Sequence, residues 1–157
     1  MDPIKPPPDL FAPLHKEVVI EKPVAEVFDL FTRLGDWWPL LSHSMGREKS
    51  GGIDFPREAG FKITESLIDG TLHVWGRVTR YEPPSTVIFT WHPGRPAAEA
   101  TEVEVTFAPE GENHTRIHLI HRGWRRLAGE PVNWRAEYDR GWDFVLAECF
   151  ACHASKM

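Results

Sequence analysis

The sequence lacks long apolar runs, an excess of basic charge and any number of cysteines, and each absence removes a class of function. No stretch approaches the ~20 consecutive apolar residues of a membrane-spanning helix, so membrane insertion is not expected. The 157 residues carry 18 lysines and arginines against 23 aspartates and glutamates, a formal net charge of −5. Nucleic-acid binding depends on basic stripes that neutralise phosphates. The one local cluster, Arg122, Arg125 and Arg126, flanks a turn signal and reads as solvated surface or as carboxylate partners. No glycine-rich phosphate cradle is present, so neither a nucleotide nor a redox cofactor is implied. HExxH and paired CxxC elements are also absent. His118 and His121 stand three apart on a strand-like segment and would point to opposite faces, so no metal site is expected.

Only two cysteines occur, in Cys149-Phe150-Ala151-Cys152-His153. This matches the c-type haem attachment pattern, but that chemistry belongs to exported proteins. The opening MDPIKPPPDLFAPL has no apolar h-region, and residues 1–13 read as a flexible proline-rich lead-in rather than a secretion signal. The expectation is therefore a cytoplasmic protein with reduced thiols. Both cysteines fall on the apolar side of a regular helix and are expected to pack in the core. They lie near its C-terminus, where the dipole opposes a thiolate, so a redox dithiol is not expected either.

What is present is 41% apolar residues with 26% charged, the make-up of an ordinary globular domain. The residues from 14 to 157 read as one domain, a size that supports one core. His15–Glu21 has the β-branched content of a strand. Pro23 then suits a helix start, and Val24, Val27, Phe28 and Phe31 recur at helical spacing through about Thr32. Gly35 interrupts, and residues 36–39 read as a second short helical piece. Residues 61–68, 72–81, 86–92, 102–107 and 115–122 follow as strands, separated by glycine and proline turn signals such as Gly51-Gly52 and Asp69-Gly70. Such spacing favours an antiparallel meander. Val103, Val105 and Phe107 would face inward, with Thr115, Ile117, Leu119 and His121 as the matching face of the next strand.

The last element spans about residues 131–153. At 100° per residue, Trp134, Tyr138, Trp142, Val145, Leu146, Cys149 and Cys152 fall on one side. At 1.5 Å per residue it would be roughly 33 Å long, enough to cross a whole sheet. The expected fold is thus α+β: a curved antiparallel sheet of about six strands wrapped on a long C-terminal helix, with two short helices after the first strand.

That order resembles the helix-grip, or START-like (SRPBCC, Bet v1-like), superfamily. Within it the wording is similar to the bacterial single-domain proteins related to the activator of Hsp90 ATPase. The residues that carry this are Val24-Ala25-Glu26-Val27-Phe28, Trp37-Trp38, Gly76-Arg77-Val78, Glu82-Pro83-Pro84 and Phe89-Thr90-Trp91. Further on come Val103-Glu104-Val105-Thr106-Phe107, His121-Arg122-Gly123-Trp124 and Gly141-Trp142. Members of the superfamily hold apolar ligands between sheet and helix, and others act as polyketide cyclases or stress-associated proteins. The resemblance implies a cavity in the same place here.

The expected lining is Trp38, Trp75, Phe89, Trp91, His121, Trp124, Tyr138, Trp142 and Val145. Flat aromatic walls would supply affinity for a small hydrophobic or aromatic molecule, with His92, His121 or Tyr138 orienting a polar end. The same three residues are the acid–base candidates for a cyclase or hydratase, with Glu65 as an additional carboxylate in a strand whose facing is open. A third reading is a chaperone-associated stress module. The eukaryotic Hsp90 activators carry a further N-terminal domain that this sequence does not show, which weakens that reading. Homodimerisation through a sheet edge or helix is compatible with the sequence and undecided by it.

Overall fold

A computed structural model describes residues 11–157. The lead-in expected over residues 1–13 therefore lies, but for its last three residues, outside the described chain. Of those three, Ala12 accepts a hydrogen bond from Arg135 Nε (2.7 Å), and the Arg125 guanidinium lies 3.9 Å from the Phe11 ring centre.

The chain runs β1 (Leu14–Ile20), α1 (Val24–Thr32), a 3₁₀ turn (Leu34–Asp36), and then β2 (Ser50–Asp54), β3 (Lys62–Leu67), β4 (Leu72–Glu82) and β5 (Thr86–Trp91). β6 (Thr101–Pro109) and β7 (Thr115–Arg122) complete the strands. The seven strands form one antiparallel sheet in the order β1-β7-β6-β5-β4-β3-β2. From β2 onward consecutive strands pair, and β1 forms the other edge against β7, with Leu14 opposite His121 and Ile20 opposite Thr115. Alternation along β6 and β7 buries Val103, Val105 and Phe107 and, beside them, Ile117, Leu119 and His121. This is the facing that the period-two pattern implies.

The sheet has seven strands rather than about six. The additional one, β2, contains the Gly51-Gly52 pair that reads as a turn in the sequence. Gly52 has φ +120° at a bulge in the β2–β3 register, a conformation that glycine reaches without steric cost. Few side chains on this edge strand are apolar, so period-two hydrophobicity does not mark it. The second short helical piece is also displaced. It is the 3₁₀ turn at Leu34–Asp36, and Trp37 and Trp38 follow it instead of lying within it.

The C-terminal helical segment comprises α2 (Pro131–Trp142), a π-helical stretch (Asp143–Phe150) and α3 (Ala151–Ser155). Its i→i+5 turns advance by less than 100° per residue, so the buried face drifts from that of a regular helix. Trp142, Val145, Leu146, Phe150 and Ala154 are buried. Of the residues expected on that face, Trp134 is 38% exposed, Cys149 is half-buried against the core and Cys152 is exposed. The expectation that both cysteines pack in the core is thus corrected for Cys152, because Phe150 takes the place that a regular helix would give to its neighbours. Lys16 on β1 fastens the segment by pairing with Asp139 and, at 2.8 Å, with Asp143. No helix among the described residues is long and apolar enough to cross a membrane.

Candidate functional site

The space between sheet and helix is built around four indoles. Trp75 on β4 and Trp91 on β5 face inward from adjacent strands, with ring centres 5.4 Å apart and planes nearly perpendicular. Trp38 drops in from the loop after α1, edge-on to Trp75 (5.7 Å) and Trp91 (5.5 Å). Trp142 of α2 meets Trp38 at 6.1 Å, also edge-on. Edge-to-face contacts are a preferred arrangement of aromatic quadrupoles. They also leave corners that no ring fills. The Trp38 indole N–H donates to the His43 carbonyl (2.7 Å), which ties the loop to its own aromatic anchor.

The residual cavity is about 140 Å³. Of the nine residues expected to line it, Trp38, Trp75, Trp91, Tyr138, Trp142 and Val145 do so. Phe89, His121 and Trp124 are buried outside the cavity wall, where Phe89 packs on Phe55 and Trp91, and Trp124 packs on His121 and Tyr138. His43, Pro93 and Gly141 complete the lining and were not anticipated. Nothing in the spacing around His43 separates it from a surface-loop histidine. Gly141 is a helix residue at which an added Cβ would meet no atom within 4 Å. A glycine inside a helix costs about 1 kcal/mol relative to alanine, and here it leaves the cavity wall open.

The acid–base candidates separate. His121 is fully buried, and both ring nitrogens are engaged. Its Nδ1 accepts from the Trp142 indole N–H (2.9 Å), and its Nε2 lies 2.6 Å from the Thr101 hydroxyl, which in turn donates to the Trp91 carbonyl (3.0 Å). Because Nδ1 accepts, the proton sits on Nε2 and the ring is neutral. Burial pushes its pKa down from 6.5 to about 3. His121 braces the cavity wall through Trp142 rather than exchanging protons.

His92 lies on the opposite side of the sheet from the cavity. It follows the last residue of β5 and lines a groove over β4 and β5, and its Nδ1 donates to the Arg95 carbonyl (2.8 Å). Tyr138 lies in the cavity wall, and burial drives its phenol up to about 12, so the hydroxyl is a neutral hydrogen-bond donor. Glu65 does point inward, but its carboxylate accepts from the Met45 and Gly46 backbone N–H groups (2.8 and 3.1 Å). Burial alone would raise its pKa. Hydrogen bonds from Ser50, those two N–H groups and Ser44 outweigh this and hold it below the ordinary value. Glu65 anchors the loop that carries His43.

His43 is the one imidazole lining the cavity among the described residues. Its ring stacks on Phe144 at 5.2 Å, its Nδ1 is 2.7 Å from the Ser42 hydroxyl, and burial, helped by the Arg47 charge, lowers its pKa. A neutral imidazole beside a phenol O–H could accept or donate a hydrogen bond at the polar end of a small ligand. Two further donors, Trp75 Nε1 and Trp124 Nε1, are buried with no partner among the described residues.

Comparison with known proteins places this geometry in a family. The family profile described as "Activator of Hsp90 ATPase homolog 1-like protein" matches residues 21–149. Among solved structures, the anthrahydroquino-γ-pyrone synthase Txn09 is 31% identical, with 82% of this chain and 87% of that one covered and a TM-score of 0.56. The self-sacrificing resistance protein CalC from Micromonospora echinospora is similar in fold at 19% identity, covering 94% of this chain and 97% of its own, TM-score 0.59. A protein from Nitrosomonas europaea shares the fold at 14% identity, covering 96% and 99%, TM-score 0.61. No match was found among curated proteins. The chain belongs to the Activator of Hsp90 ATPase homolog 1-like protein family, within the helix-grip fold.

Proposed function

We propose that the protein binds a small aromatic molecule of about one ring between the sheet and the C-terminal helix. The observation that carries this is the apolar cavity of about 140 Å³ walled by Trp38, Trp75, Trp91, Trp142 and Val145. An engineered apolar cavity of about 150 Å³ takes up benzene, whereas drug-sized ligands need ~300 Å³ or more. The Tyr138 hydroxyl and the His43 ring are the groups that would orient a polar substituent. The buried Trp75 N–H in the wall would be satisfied by an acceptor oxygen on the ligand.

The 31% identity to a synthase favours a second reading, an enzyme of the cyclase or hydratase type using the same cavity. Its base would be His43, since His121 is held neutral by two committed nitrogens and His92 faces away. An anthrahydroquinone skeleton has three fused rings and would not fit about 140 Å³ without displacement of the His43 loop.

Native mass spectrometry of the freshly purified protein tests the binding reading. A noncovalent adduct of small mass that disappears on denaturation is expected, and it should be absent from a folded Val145→Trp variant. Retention of the adduct in that variant would place the ligand elsewhere. Phenol-class ligands turned over by the wild type but not by His43→Asn would select the enzyme reading.

A further inference from the structure

A groove of about 900 Å³ crosses the outer side of the sheet, over β4 and β5, away from the cavity beneath the helix. Its floor is Gly76, where an added Cβ would lie 1.7 Å from the Thr90 carbonyl oxygen, so no side chain can fill it. Three cations line it, Lys62, Arg77 and Arg126. None of the three takes part in an ion pair among the described residues, whereas Arg95 beside them is neutralised by Glu99 at 2.9 Å. No carboxylate lines the groove. Arg77 is held in place by donating to the Gly60 carbonyl (2.5 Å), and Arg126 donates to the Ala100 carbonyl (3.4 Å). Such an unbalanced cluster is unexpected on a chain with a net charge of −5.

The second observation is His92. It is 93% buried, since 7% of its surface is exposed, and it lines the groove. Its Nδ1 is committed to the Arg95 carbonyl, which fixes the ring and leaves Nε2 with no partner among the described residues. The apolar part of the groove is equally defined: Leu72 and Val74 are 64% and 37% exposed on its wall, and Met45 is 43% exposed at its end.

We infer that this groove binds an amphiphilic oxyanion. A carboxylate or phosphate head is taken by Arg77 and Arg126, and an apolar body lies along Leu72 and Val74; His92 Nε2, left an acceptor by the proton on Nδ1, receives the P–OH of a phosphate monoester head. The head needs the donors that the two guanidinium groups hold unpaired, and guanidinium groups match the planar or tetrahedral oxygens of such heads. The body covers apolar surface that the fold leaves in water. This site is independent of the cavity under the helix.

Calorimetric titration with decanoate and with decyl phosphate tests it, with decanol as the uncharged control. Saturable one-to-one binding of at least one anion is expected, and which head binds identifies the class. Binding should weaken about tenfold or more in Arg77→Gln/Arg126→Gln, a loss of ~1.4 kcal/mol. Decyl phosphate binding should also weaken in His92→Phe, and binding should stay unchanged in Gly141→Leu, which alters only the inner cavity. The inference fails if neither anion binds below about 1 mM or if decanol binds equally well. It fails too if the double variant, folded by circular dichroism, binds as the wild type does, or if Gly141→Leu abolishes binding.

Discussion

His121 joins β7 to the C-terminal helix because both ring nitrogens have partners that lie far apart in sequence. Trp142 donates to one, and Thr101 receives from the other. Replacing it with leucine leaves the Trp142 indole N–H unpartnered in the core, which should cost about 1–3 kcal/mol beyond any packing loss. The ring also shapes acid stability. It remains neutral in the fold down to about pH 3, while in the unfolded chain it takes up a proton near pH 6.5. Its contribution is therefore fully present above pH 6.5 and is lost as the pH falls toward 3, at up to ~1.4 kcal/mol per pH unit. Urea unfolding at a series of pH values should show a steeper acid decline in the wild type than in His121→Leu. Parallel declines would mean that the ring is not held neutral. Glu65 offers a second test at this scale. Glu65→Gln keeps one acceptor oxygen but turns an amide N–H toward the other backbone donor, and proteolysis within residues 42–49 should accelerate while the sheet stays intact.

The C-terminal segment depends on where its π turns set the buried face. Phe150→Ala should cost about 3–5 kcal/mol, as for a buried aromatic. Cys152→Ala should stay within about ±0.5 kcal/mol, the range of a surface change. Thermal denaturation of the two variants decides this, and the reverse order would restore the regular-helix face. The contrast also shows what the sequence could and could not reveal. The strands β4 to β7 were legible because alternation such as Val103, Val105, Phe107 follows directly from the pleat. The edge strand β2 was not, because Ser50-Gly51-Gly52 carries no apolar rhythm and its pairing to β3 is made by backbone. Phe150 is missing from the face read at 100° per residue, because the angular period changes within the segment.

For the whole molecule, the site was legible in place more than in detail. Inward-facing Trp75 and Trp91 follow from strand alternation, and Trp142 and Val145 from the helix face, so six expected lining residues do meet around one cavity. His43 was hidden, since it arrives from a loop positioned by Glu65 from β3, a contact that local pattern does not encode. His92 lies one residue beyond the end of β5, where strand alternation no longer fixes its facing, and it lines the outer groove instead of joining His121. The fold thus presents two different surfaces, an aromatic one beneath the helix and a basic one outside the sheet. The central claim concerns the first of these. Fluorine NMR titration of para-fluorophenol into the wild-type protein and into Gly141→Leu tests it most directly, because the added side chain improves helix propensity while narrowing the cavity. A saturable shift in the wild type that is lost in the folded variant is the expected result. Equal shifts in both, or none in the wild type, would contradict a ligand site between sheet and helix.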